Sequence, residues 1–108
     1  MQVADDETVV HYIDLASVRK SGTLRRVRVI NDFKLRNKDG EMSFGTLNEF
    51  NCKERRTRIL SLSTYSGPMA EGRVLVSGAI PGPWHSIAAD THAATILQIV
   101  CAEQRSFL

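Results

Sequence analysis

"LRRVRVINDF", Leu24 to Phe33, is the stretch that decides the fold class. Val27, Val29 and Phe33 share one parity, and Arg26, Arg28 and Asp32 share the other. Alternation with a period of two places apolar side chains on one side of an extended chain and charges on the other. That pattern is a half-buried strand. Upstream, "TVVHYI" (Thr8–Ile13) reads as a short strand followed by the turn-prone "DLASVRKSG". Downstream, "NKDG" (Asn37–Gly40) reads as a hairpin turn, with Asp-Gly supplying positive φ. "MSFGTLNEFNC" (Met42–Cys52) alternates again, with Met42, Phe44, Phe50 and Cys52 on one face. "RRTRILSLSTY" and "RVLVSGAI" form a further pair, joined by the turn "SGPMAEG". Ile59 and Leu60 are both apolar, which breaks the parity and points to a bulge there.

After "PGPW" the period changes. A helix is expected from Asp90, as its cap, to about Gln104, with Ala93, Ile96, Leu97, Val100 and Cys101 on one face. Strands in succession followed by one terminal helix predict an α+β fold. It would be an antiparallel meander of about five to six strands with the helix packed on one face. The 108 residues suit a single domain, 1–108, with 43% hydrophobic and 24% charged residues and a formal charge of +2. No apolar run is long enough to span a bilayer. "MQVADDETVV" has neither the basic nor the apolar segment of a signal peptide, so the chain is cytosolic or a secretion signal has already been removed.

The two cysteines, Cys52 and Cys101, are too few for a structural zinc site without histidine help. Parity points Cys52 toward the buried face, and Cys101 lies on the stripe of the helix that covers it. A bridge between them would close a loop of about 50 residues and stabilise the fold by about 3–4 kcal/mol in the chain-entropy model. In a reducing compartment both would be small buried hydrophobes instead. The residues alone leave both states open.

Taken together, "CKERRTRILSLSTYSGPM", "GRVLVSGAIPGPWHSI" and "ATILQIVC" resemble the surface-adhesin E-like family of Gram-negative bacteria. So does the upstream "VVHYIDLASVRKSGTLRRVRVINDFK". The resemblance covers roughly Thr8 to Cys101. It rests chiefly on Cys52–Arg58, "YSGP" at Tyr65–Pro68, "PGPW" at Pro81–Trp84, and Cys101 closing the helix. It implies a periplasmic or cell-surface domain and a Cys52–Cys101 disulfide. It also implies a non-enzymatic binding or envelope role, with a host protein, an envelope protein or an acidic glycan as partner, and no cofactor.

Eight of the fourteen Lys and Arg residues lie in Leu24–Lys34 and Lys53–Arg58. In a meander these strands flank Met42–Cys52, about 10 Å apart. Arg26 and Arg28 then form one outward row, and Arg56 and Arg58 another. The functional reading is a cationic contact face. The competing reading is a solvated face neutralised internally, because Glu49 projects between the rows with Asp32 and Glu54 nearby. A small basic cytosolic domain that binds nucleic acid is the alternative function. It lacks the exposed aromatics on which single strands stack, since parity buries Phe33. "WHSIAADTH" contains His85, Ser86, Asp90 and His92, but no nucleophile-elbow glycines surround Ser86. His11, His85 and His92 show no recognised ligand spacing, so no metal site is expected. Trp84 reads as a hydrophobic plug at the sheet edge.

Overall fold

A computed structural model of the chain describes residues 1–35, 37, 39–79 and 81–102. The strands are β1 (Gln2–Asp5), β2 (Val9–Ser21), β3 (Leu24–Phe33), β4 (Ser43–Asn51), β5 (Arg56–Tyr65), β6 (Val74–Gly78) and β7 (His85–Ser86). One helix follows, α1 (His92–Ala102). The first six strands run antiparallel in chain order, and β7 joins the edge of β5 beside β6. The α+β meander with a C-terminal helix is therefore the observed architecture. No described helix is long and apolar enough to cross a membrane.

The alternation in β3 operates as expected. Val27 and Val29 are buried on the face that receives α1, and Arg26 and Arg28 are exposed on the other. Ile13, Val27, Val29 and Phe50 meet Ile96, Leu97 and Val100 of the helix in the core. Cys52 and Cys101 are joined by a disulfide with Cα atoms 5.8 Å apart, tying the last turn of α1 to the end of β4. The helix lies over β1, β2 and β3. Beside it, over β4 and β5, an open groove of about 320 Å³ is lined by Phe44, Thr46, Asn48 and Ile59.

Several expectations need correction. The N-terminal strand β1 pairs with β2 and was not anticipated. The "DLASVRKSG" turn is not a turn: β2 runs through it to Ser21, with a register shift between Asp14 and Arg19. Its turn-forming residues act locally instead, since Ala16 N–H donates to Asp14 Oδ1 and Ser17 Oγ donates to the Asp14 carbonyl. The reversal comes at Gly22–Thr23, where Gly22 takes φ +60° between the paired Ser21 and Leu24.

The cap of helix α1 falls one residue later than expected, and the helix itself begins at His92. Thr91 caps it, with Oγ1 accepting from Ala94 N–H at 3.1 Å, whereas Asp90 takes φ +63° in the approach. The expected end at Gln104 lies outside the described residues, as does Lys38 of the "NKDG" turn. The rest of that turn is present: Gly40 takes φ +81° and its N–H donates to the Asn37 carbonyl. The bulge falls where the broken parity placed it. Asn48 pairs with Ile59 and Leu47 with Ser61, leaving Leu60 extra.

Candidate functional site

Strand register aligns Arg19, Arg26, Glu49 and Arg58 in one rung across β2, β3, β4 and β5, on the face away from the helix. Glu49 accepts from Arg26 Nε at 3.1 Å on Oε2. Its Oε1 accepts from Arg58 Nε at 2.9 Å and Nη2 at 2.7 Å. The Glu49 side chain is only 3% exposed, although it sits on the solvent side of the sheet. Two guanidinium groups bury it. Burial alone would push its carboxyl up, but the hydrogen bonds from Arg58 and then Arg26 outweigh that and hold it below the ordinary glutamate value. Arg58 is itself braced, because its guanidinium carbon lies 4.7 Å from the ring centroid of Trp84.

The four arginines expected to form a contact face therefore divide into two pairs. Arg26 and Arg58 are engaged with Glu49. Arg28 pairs in register with Leu47, and Arg56 with Asn51, so they stand on opposite sides of the Glu49 rung. Both are exposed, and neither has an ion-pair partner among the described residues. The strand spacings place their Cα atoms roughly 17 Å apart. A groove of about 290 Å³ lined by Arg19, Lys20, Arg26 and Glu49 opens beside the rung. Asp32 does not join this network: its Oδ1 accepts from Met69 N–H at 2.8 Å and holds the β5–β6 turn. Glu54 lies exposed in the β4–β5 turn.

Sequence reasoning missed Arg25, which shares the core-facing parity of Val27 and is 2% exposed. Its guanidinium donates to the carbonyls of Gly22 and Leu24 at 2.8 and 2.9 Å. The residues weighed as a hydrolytic set are separated. His85 and Ser86 are exposed in β7, facing Thr57 and Arg56 of β5, while His92 begins α1 and bonds to Asp6. No hydrogen bond joins Ser86 to His85, Asp90 or His92 among the described residues. Trp84 does more than plug an edge, because its ring face is taken by Arg58.

A second cluster also escaped the reading of spacing. His11 Nε2 lies 2.9 Å from Asp6 Oδ2, and His92 Nε2 lies 3.3 Å from Asp6 Oδ1. The two imidazole rings are 4.0 Å apart between centroids. The signal was available in the sequence. His11 shares the parity of Ile13, and His92 precedes Ile96 by one helical turn, so both point into the layer between sheet and helix. The hydrogen bond to His11, with the charges of both histidines, holds the Asp6 carboxyl below its ordinary value.

A family model described as surface-adhesin protein E matches residues 1–102. Solved structures of Haemophilus influenzae protein E share the fold. Crystal form II is 14% identical with a TM-score of 0.68, over 94% of this chain and 92% of that one. A further structure from the same organism is 16% identical with a TM-score of 0.67, over 94% and 89%. One from a non-typeable strain is 15% identical with a TM-score of 0.67, over 97% and 78%. No curated protein matches the sequence.

Proposed function

The chain belongs to the surface-adhesin protein E family, and on that premise we propose that it is a non-enzymatic binding domain working at the periplasm or cell surface. Its contact surface is the open face of the sheet. Its partner is a host protein, an envelope protein or a glycan that presents clustered carboxylates or sulfates. The observation that carries this reading is the division of the arginines. Glu49 pins Arg26 and Arg58 into a rigid platform, and Arg28 and Arg56 flank it with charge to spare. Arg26 remains 55% exposed and presents its outer edge to the neighbouring groove. Preorganised guanidinium groups lose little freedom on meeting an anion. The disulfide suits an oxidising compartment.

Heparin chromatography tests the reading. The wild type is expected to be retained at 0.15 M salt, and the Arg28→Glu/Arg56→Glu double variant to pass through. The two should have thermal midpoints within a few degrees, because exposed charges contribute roughly 0–1 kcal/mol each. Co-elution of the wild type with a neutral control protein would refute a cationic contact face. Stronger retention on single-stranded DNA than on heparin at matched salt would favour the nucleic-acid alternative.

A further inference from the structure

We propose that Asp6, His11 and His92 form a binding site for one divalent transition-metal ion of the zinc class, which fastens the start of α1 to the β1–β2 hairpin. The three residues come from three elements of the chain: the β1–β2 turn, β2 and the first position of the helix. Each offers one ligand atom, and all of these atoms lie within 4.8 Å of one another. Four-coordinate zinc with bonds of about 2.0–2.1 Å spaces its ligands by roughly 3.3 Å. His92 Nε2 lies 3.3 Å from Asp6 Oδ1, at that spacing, and His11 Nε2 lies 2.9 Å from the other oxygen, Oδ2, so a shift of well under an ångström opens the cluster around one ion. Two imidazoles and a carboxylate are a borderline donor set suited to zinc, cobalt or nickel, with room left for water as a fourth ligand.

The surroundings of His11 are the independent observation. Its Nδ1 meets the side-chain oxygen of Asn31 at 2.5 Å, and Asn31 is 6% exposed. An amide oxygen only accepts, so the ring proton resides on Nδ1. In the neutral ring, Nε2 then carries its lone pair toward the Asp6 carboxylate. Nε2 meets that carboxylate at 2.9 Å, a place that either a second ring proton, donated to Asp6, or a metal ion fills. A metal ion in that place leaves the Nδ1–H hydrogen bond to Asn31 intact. A ligating histidine whose other nitrogen donates to a fixed oxygen is the usual outer-shell arrangement of metal sites. Near-stacking of the second imidazole on the first, at 4.0 Å, brings a further nitrogen to the same carboxylate.

Placement gives the ion a structural consequence. The disulfide ties α1 to the sheet at Cys101, close to the helix end. His92 is the first residue of the helix, nine positions before Cys101. A metal there would tie the other end, to a different part of the sheet.

The experiment uses tag-free, chelator-stripped protein titrated with Zn²⁺ against a chromophoric competitor, with thermal melts in parallel. One equivalent should bind per chain and raise the melting temperature. His92→Ala and Asp6→Asn should each weaken binding at least 100-fold and abolish the thermal shift. Asn31→Ser should weaken it about 10–100-fold, as outer-shell changes do. His85→Ala should bind like the wild type. His92 is 44% exposed, so its variant is expected to fold, and its metal-free melt verifies this. Absence of stoichiometric uptake would show that a proton alone bridges the cluster and would overturn the proposal. Uptake that survives both His92→Ala and Asp6→Asn would overturn it equally, by placing the metal elsewhere.

Discussion

Glu49 and Phe50 are chain neighbours in β4, and both are almost wholly buried, at 2% and 0% exposure. They reach that state on opposite faces and by opposite physics. Phe50 lies beneath α1, packed among Val27, Ile96 and Leu97, where removal of apolar surface from water supplies the driving force. Glu49 faces away from the helix and is covered by Arg26 and Arg58, so its burial depends on charge pairing. One face is closed by an element of the fold, the other by side chains. The first kind of cover is nondirectional and tolerates change of similar volume. The second holds only while each partner keeps its charge and geometry.

The largest effect should come from opening the helix side. Phe50→Ala is expected to cost about 3–5 kcal/mol, the range for large-to-small aromatic changes in a core. Urea denaturation measures it, and a loss under 1 kcal/mol would mean that α1 settles into the space. Reducing the Cys52–Cys101 bond loosens the same cover without removing an apolar atom. The expected loss is about 2–4 kcal/mol, because the unfolded chain regains the freedom of a loop spanning a separation of 49 residues. If the reduced and oxidised proteins melt together, packing alone holds the helix.

Next in size is the polar cover. Glu49→Gln keeps the shape but leaves two guanidinium groups without a counter-charge, at a cost of about 2 kcal/mol. The effect depends on pH with a definite sign. The folded carboxyl is held below its ordinary value of 4.5, so protonation is easier in the unfolded chain. The stabilisation is therefore complete above about pH 5 and declines as pH falls below 4.5 and through the folded-state value. Wild type and the Glu49→Gln variant should differ most near neutrality and converge in acid. A difference that is constant from pH 7 to pH 3 would assign the loss to packing. Phe50→Ala, by contrast, should show no such convergence.

This contrast also explains what could be read from the chain and what could not. Alternation in Leu24–Phe33 and Met42–Cys52 revealed the strands, their faces and the apolar helix stripe, because burial under α1 follows periodicity along one segment. The outward direction of Glu49 was legible in the same way. Its degree of burial was not, since that arises from Arg26 and Arg58 on two other strands and from the register that aligns them. The Asp6–His11–His92 cluster was legible in part: parity and helical phase turn both histidines into one layer, but their shared contact with Asp6 depends on where the β1–β2 turn meets the start of the helix. Strand β1 escaped because "QVAD" is too short to show a period. The cap was misplaced because Asp90 and Thr91 are both capping residues, and only the backbone decides between them: φ +63° at Asp90 leaves Thr91 to do it.

The smallest expected effect tests how Arg58 is held in place. Its guanidinium is shared between the Glu49 carboxylate and the Trp84 ring, which a planar, delocalised cation can satisfy together and a lysine ammonium cannot. Trp84→Leu should cost about 0.5–1 kcal/mol from the cation–π contact. Arg58→Lys keeps the charge but gives up the fork and the stacking. If the ring steadies Arg58 on Glu49, the double variant should be less destabilised than the sum of the two singles, by about 0.5–1 kcal/mol. Strict additivity would mean that Trp84 contributes only its own burial, as a plug would. Coupling would have a functional corollary as well. A ring face already occupied by Arg58 is not free to stack on a ligand, so the open face would recognise its partner through charge, and Trp84→Leu should alter stability more than it alters retention on heparin.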